Sequence, residues 1–158
     1  MGSEHTAKAF DDDLQELNRL VAEMGGLAER QIVDSVDALI RRDVTLGKRV
    51  VAADLEIDKL QHLIEERAVL TIARRQPMAV DLREIVSSMR VATDLERIGD
   101  LSKNIGKRVS ALDSDFHPLK LIRGLEHMTD LVQSQVKSVL DAYAAHDLPA
   151  AMVVWKGD

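Results

Sequence analysis

Apolar residues recur every three or four positions along almost the whole chain. Leu14, Leu17, Val21, Met24, Ala28, Ile32, Val36 and Leu39 fall on one stripe. A helix turning every 3.6 residues needs this spacing to bury one face. Asp13 followed by Glu16 has the layout of a capping box, with Asp in place of Ser or Thr, and predicts the start of the first helix. Arg41-Arg42 at the far end suits the negative pole of the helix dipole. Gly25-Gly26 sits mid-pattern, a propensity cost that marks either a kink or a close-packing point.

The second segment is a heptad seam of Leu46, Val50, Ala53, Ile57, Leu60 and Ile64. It runs to Arg74-Arg75 and stops before Pro77, because the residue preceding a proline is pushed out of helical conformation. The third segment starts between Pro77 and Asp81, where Asp81 and Glu84 repeat the capping-box layout. Leu82, Ile85, Met89, Ala92, Leu95, Ile98, Ile105, Val109 and Leu112 supply its apolar face. Three helices of ~30 residues joined by short turns predict an antiparallel up-down-up bundle about 45 Å long.

Ser110 to Pro118 reads as a linker. A fourth helix follows, with Leu121, Leu125, Met128, Val132, Val136, Val139 and Tyr143 on one side. His146-Asp147-Leu148-Pro149 breaks it, and a fifth begins near Ala150. A shift of 104 residues lays this part over the start of the chain: Leu17 on Leu121, Met24 on Met128, Leu27 on Leu131 and Gln31 on Gln135. Asp37-Ala38 then falls on Asp141-Ala142, Asp43 on Asp147 and Asp54 on Asp158. The helix break aligns as well as the stripe, which favours an internal duplication.

Composition narrows the function. The chain has 158 residues, is 46% hydrophobic, and holds only four aromatic residues, Phe10, Phe116, Tyr143 and Trp155. Its Leu, Ile, Val, Ala and Met content fits packed helices rather than a β-sandwich. The absence of cysteine excludes disulfides, zinc thiolates, iron–sulfur clusters and thiol nucleophiles. A net charge of −6 argues against a nucleic-acid partner. The basic doublets Arg41-Arg42, Arg74-Arg75 and Lys107-Arg108 lie near helix C-termini, where the dipole accounts for them.

Two acidic pairs stand out. Asp54 and Asp58 are one turn apart on the second helix, and Glu96 and Asp100 one turn apart on the third. Like charges at that spacing repel, so a helix tolerates rather than seeks them. The pairs centre on residues 56 and 98, each 21 residues from Pro77, so an antiparallel hairpin sets them at one height. Gly99 lies inside the second pair and allows a close approach. Four carboxylates without a thiolate suit Mg²⁺, Mn²⁺, Ca²⁺ or oxygen-ligated iron. His62, one turn beyond Asp58, is a candidate accessory ligand. A solvated acidic face is the alternative. The Glu-x-x-His pairs of di-iron bundles are missing, which disfavours a carboxylate di-metal oxidase.

Asp54-Leu-Glu-Ile-Asp58-Lys-Leu, Arg74-Arg-Gln-Pro77-Met-Ala-Val-Asp81-Leu-Arg83 and Asp94-Leu-Glu-Arg-Ile-Gly-Asp100-Leu-Ser-Lys-Asn-Ile-Gly-Lys together resemble the PhoU family of phosphate-specific transport accessory proteins. The resemblance runs from about residue 5 to the end. It implies an all-α fold of tandem three-helix bundles: residues 1–112 as the first repeat, 113–118 as a linker and 119–158 as part of a second. On that register Asp158 opens a second acidic motif, with further helices expected after it.

The resemblance also implies that Asp54, Asp58, Glu96 and Asp100 bind Mn, Mg or Fe ions, with no organic cofactor. Asp81, Arg83 and Arg97 are further candidates because they belong to the matching motifs. The implied activity is non-enzymatic. It is negative regulation of phosphate uptake and phosphate-starvation signalling, by linking the ATPase of a phosphate ABC transporter (PstB-like) to a sensor histidine kinase (PhoR-like). The implied setting is cytoplasmic, peripheral to the inner membrane only through partners, with a homodimer as the candidate assembly. A metal-independent helical scaffold is the competing expectation.

Overall fold

The computed structural model describes residues 2–112 and 119–157, with side chains placed for 8–112 and 121–157. The core of the expected linker, 113–118, and Asp158 lie outside the described residues. Five helices follow in order: α1 (Gly2–Arg41), α2 (Val44–Arg75), α3 (Ala79–Val109), α4 (Leu119–Ala144) and α5 (Leu148–Lys156). No strand occurs among the described residues. Helices α1, α2 and α3 all pack on one another, α4 lies along α1, and α5 folds back on α4. No helix among the described residues is long and apolar enough to cross a membrane.

Leu17, Leu20, Val21, Met24 and Ala28 of α1 meet Ile57, Ile64 and Ala68 of α2 and Ile85, Ala92 and Leu95 of α3 in the central core. The α1 stripe is buried from Leu17 to Ile32 as its spacing predicts, but Leu14, Val36 and Leu39 are only part-buried, and past Ile32 the buried positions are Ser35 and Ala38. The other two seams depart from expectation. On α2 the buried series runs Gly47, Val50, Asp54, Ile57, so Asp54 takes the seam position and Ala53 is exposed. On α3 the buried series is Ile85, Ser88, Ala92, Leu95, Gly99, Ser102, Gly106 and Val109. Leu82 and Leu112 are exposed instead. Small residues line this seam because α2 and α3 approach closely. The buried hydroxyls of Ser88 and Ser102 donate to the carbonyls of Ile85 and Ile98 on their own helix, so neither is left unsatisfied.

Both capping boxes are corrected. Helix α1 begins at Gly2 and runs through Asp13 without a break; no glycine or proline separates Gly2 from Asp13. Asp13 instead accepts from Arg75 Nε at 2.9 Å, tying α1 to the end of α2. Met78 is the N-cap of α3 and gives no side-chain bond, leaving Asp81 in the first turn. The working caps are Asp43, which accepts from Leu46 N at 2.8 Å, and Asp147, which accepts from Ala150 N at 2.9 Å.

The 104-residue offset recurs in the backbone. Asp43 N donates to Ala38 O and Asp147 N to Ala142 O, both at 2.9 Å. The preceding residues, Arg42 and His146, both adopt left-handed φ, 55° and 52°. The two helix breaks thus share one turn geometry. Gly25 lies within the continuous α1 at a close-packing point: a Cβ there would stand 2.6 Å from Leu140 Cδ1 of α4. The α4 stripe is only partly covered. Val136 is buried, whereas Leu121, Met128, Val132 and Val139 are exposed, as is Trp155 of α5.

Candidate functional site

The short turn between α2 and α3 fixes their register and sets the two acidic pairs side by side. Gly99 of α3 faces Ile57 and Asp54 of α2: a Cβ at Gly99 would lie 3.0 Å from Ile57 Cδ1 and 3.3 Å from Asp54 Oδ1. Asp54 is 2% exposed, while Asp58, Glu96 and Asp100 are part-buried at the rim. The four carboxylates share one field. The Glu96 carboxyl is raised above the usual range, first because burial disfavours its charge, then because Asp100, Asp58 and Asp54 repel it.

A lysine absent from the sequence reasoning stands at the centre. Lys103 Nζ donates to Asp54 Oδ2 at 2.5 Å across the helix pair, and to Asp100 Oδ1 one turn back on its own helix. The hydrogen bond from Lys103 holds the Asp100 carboxyl below the usual range, and the same two carboxylates raise the Lys103 ammonium. The signal in the sequence was the i,i+3 spacing of Asp100 and Lys103, which favours an ion pair.

A second missed residue comes from α1. Gln31 is 4% exposed, and neither polar atom of its side chain has a hydrogen-bond partner within the chain. Asp54 Oδ1 is likewise without one. Both converge on Gly99, since a Cβ there would lie 3.4 Å from Gln31 Oε1. Buried polar groups normally find partners, so orphaned oxygens gathered at one glycine mark a place suited to a bound polar species. Its position three after Ala28 and four before Ser35, both fully buried, was the signal for Gln31.

The donor set is all oxygen: four carboxylates and one carboxamide. That chemistry fits a hard cation such as Mg²⁺, Mn²⁺ or iron. Asp54, Asp58, Glu96 and Asp100 would hold it, with Gln31 on the inner side, and the ion would neutralise a mutually repelling cluster. As the side chains stand, no three Asp, Glu or His residues among the described ones are gathered into a metal cage; Lys103 holds two of the four.

The other candidates stay outside this cluster. His62 is exposed, with Nδ1 3.9 Å from Glu65 on its own helix. Asp81 and Arg83 lie in the first two turns of α3, ~20 Å along the axis from Glu96 at ~1.5 Å per residue. Arg83 and Arg97 are solvent-exposed.

Comparison with known proteins places this arrangement. The PhoU domain model matches residues 21–109, which span the Gln31 orphan, both acidic pairs and Lys103. A Rhizobium meliloti (strain 1021) protein named "Phosphate-specific transport system accessory protein PhoU homolog" is 50% identical over 145 residues, covering 92% of this chain and 61% of its own length. A Caulobacter vibrioides protein of the same name is 46% identical over 156 residues, covering 99% of this chain and 68% of its own. The chain therefore spans about three-fifths to two-thirds of the length of these relatives. The crystal structure of PhoU from Pseudomonas aeruginosa superposes with a TM-score of 0.85 at 35% identity, covering 91% of this chain and 69% of that one. The phosphate transport system regulatory protein PhoU from Streptococcus pneumoniae gives 0.85 at 27% identity, covering 93% and 69%. With its bundle, its acidic helix pair and more than half its length matched, this chain belongs to the PhoU family.

Proposed function

We propose that the chain is an accessory protein of phosphate transport, not an enzyme, and that it restrains uptake and phosphate-starvation signalling by contact. The observation that carries this is 46–50% identity to proteins named as accessories of the phosphate-specific transport system. The partners proposed are the ATPase of the transporter and a sensor histidine kinase, met in the cytoplasm, with the protein reaching the membrane only through them. A homodimer is the proposed assembly. Divalent cation binding by Asp54, Asp58, Glu96 and Asp100 is part of the proposal, supported by the orphaned Asp54 Oδ1 and the repulsion raising Glu96. Neutralising the acidic face would change which partner surface it suits.

The test pairs two measurements on wild type and on a variant carrying Asp54→Asn, Asp58→Asn, Glu96→Gln and Asp100→Asn. Calorimetry with Mn²⁺ or Mg²⁺ is expected to show binding in wild type and its loss in the variant; equal binding overturns the site. Capture of the purified ATPase and kinase is expected to depend on the metal. Capture indifferent to metal and to the four amides leaves the metal-independent scaffold, and no capture of either protein overturns the adaptor role.

A further inference from the structure

We propose that Lys103 is a tethered cation occupying the acidic site in place of a divalent ion, so that metal binding and the Lys103 bridge exclude each other. This deepens the proposed metal-binding role and rests on it.

Lys103 Nζ reaches the inner carboxylate, Asp54 on α2, and the rim carboxylate, Asp100 on α3. These are two of the four groups a hard ion would draw on. An ammonium and a divalent ion drawn to the same carboxylates repel each other at contact distance, and the lone pairs that Lys103 holds are not open to the ion until the ammonium leaves. One ammonium is also a poor match for the site. It carries a single charge against four carboxylates, and with it in place Asp54 Oδ1 and both polar atoms of Gln31 remain without a partner in the chain. A cation seated deeper, over Gly99, would meet the oxygens that Lys103 leaves unserved. Lys103 has a way out: its side chain is 23% exposed on a flexible four-carbon stem. Its neighbour Lys107, one turn further on, is exposed.

The consequence is a reduced apparent affinity. If only the fraction of molecules with Lys103 displaced can accept the ion, the measured Kd is the intrinsic one divided by that fraction. Removing the ammonium removes the competition; removing a bystander charge nearby does not.

The experiment titrates Mn²⁺ by calorimetry into wild type, Lys103→Met and Lys107→Met. Lys103→Met is expected to bind on the order of tenfold more tightly than wild type. Lys107→Met is expected to change affinity less than about twofold, the size of a screened surface charge. Equal tightening in both variants means a general field effect and overturns the inference. Binding by wild type with no tightening in Lys103→Met overturns it too, while leaving the metal site standing. No binding by either protein overturns both. Wild type supplies a second readout that needs no variant. Acetic anhydride labelling read by peptide mass spectrometry is expected to modify Lys103 several-fold faster with saturating Mn²⁺, with Lys107 unchanged. If Lys103→Met fails to fold, this labelling decides alone, and unchanged or slower labelling of Lys103 counts against the exchange.

Discussion

Gly47 of α2 and Gly106 of α3 meet reciprocally: a Cβ on either would lie 2.9 Å from the carbonyl oxygen of the other. Two backbones touch there with no side chain to yield, next to Val50 and Val109. Gly106→Ala is therefore expected to destabilise by about 1–3 kcal/mol, the usual cost of overpacking. Gly26 is the control. It is an exposed interior position of α1 with nothing within 4 Å of its would-be Cβ. Gly26→Ala is expected to stabilise by about 0.5–1 kcal/mol through helix propensity. Urea unfolding of both variants checks the pair, and the opposite signs are what matter.

Asp43 and Asp147 make the same N-cap bond, each after a residue with left-handed φ, Arg42 and His146. Their substitutions are expected to act differently. Asp43→Ala loosens the 32-residue α2, which carries Asp54 and the core residues Ile57, Ile64 and Ala68, and should cost about 0.5–2 kcal/mol of global stability. Asp147→Ala loosens α5, a nine-residue helix with no buried residue. It should leave global unfolding nearly unchanged while speeding amide exchange over 148–156. Hydrogen exchange with mass spectrometry separates the two outcomes.

The element order was legible because Leu, Ile and Val mark a helical stripe without reference to any partner. So was the height of the acidic quartet, because distance from the turn at Pro77 fixes height in a hairpin. Rotation about the helix axis was not legible. Ala53 and Asp54 are about 100° apart on α2, and an apolar stripe drawn by composition picks Ala53, yet Asp54 turns inward, facing Gly99 and accepting from Lys103 of α3. Ser88, Ser102 and Gly106 were missed as core for a related reason. A seam of small residues has no hydrophobic signature, and its sense comes only from the neighbouring backbone. Lys103 and Gln31 needed the cross-helix geometry, since neither residue type marks a core position by itself.

Tyr143 is the chain's sole tyrosine, so its ionisation is directly measurable. Its hydroxyl donates to Asn18 Oδ1 at 3.2 Å, and Asn18 Nδ2 donates to Glu84 Oε1 at 3.3 Å, joining α4, α1 and α3. Burial, then the Glu84 charge, pushes the phenol up to about 12. A phenol raised above its unfolded value near ~10 favours the folded state until pH passes the unfolded value. That contribution then falls away as pH rises through the interval and is gone above the folded value. Absorbance at 295 nm is expected to show a midpoint near 12 in the native protein and one near ~10 in urea. A native midpoint at the unfolded value would mean that α4 does not hold the ring against α1 and α3 in solution.

Gln31→Met keeps the length of the side chain and removes both orphaned polar atoms. A buried donor or acceptor without a partner costs about 1–3 kcal/mol, and replacing it with an apolar group of similar shape recovers part of that. The metal-free protein is therefore expected to gain about 1 kcal/mol in urea unfolding. The same change removes a carboxamide oxygen from the inner side of the site, so Mn²⁺ affinity should fall, and the stabilisation that Mn²⁺ gives wild type should shrink with it. Opposite movement of the two quantities is the informative result. It would mean that the bundle accepts a defect in its core because the defect faces a ligand. A loss of stability with unchanged Mn²⁺ binding would make Gln31 an ordinary core residue whose partner is water.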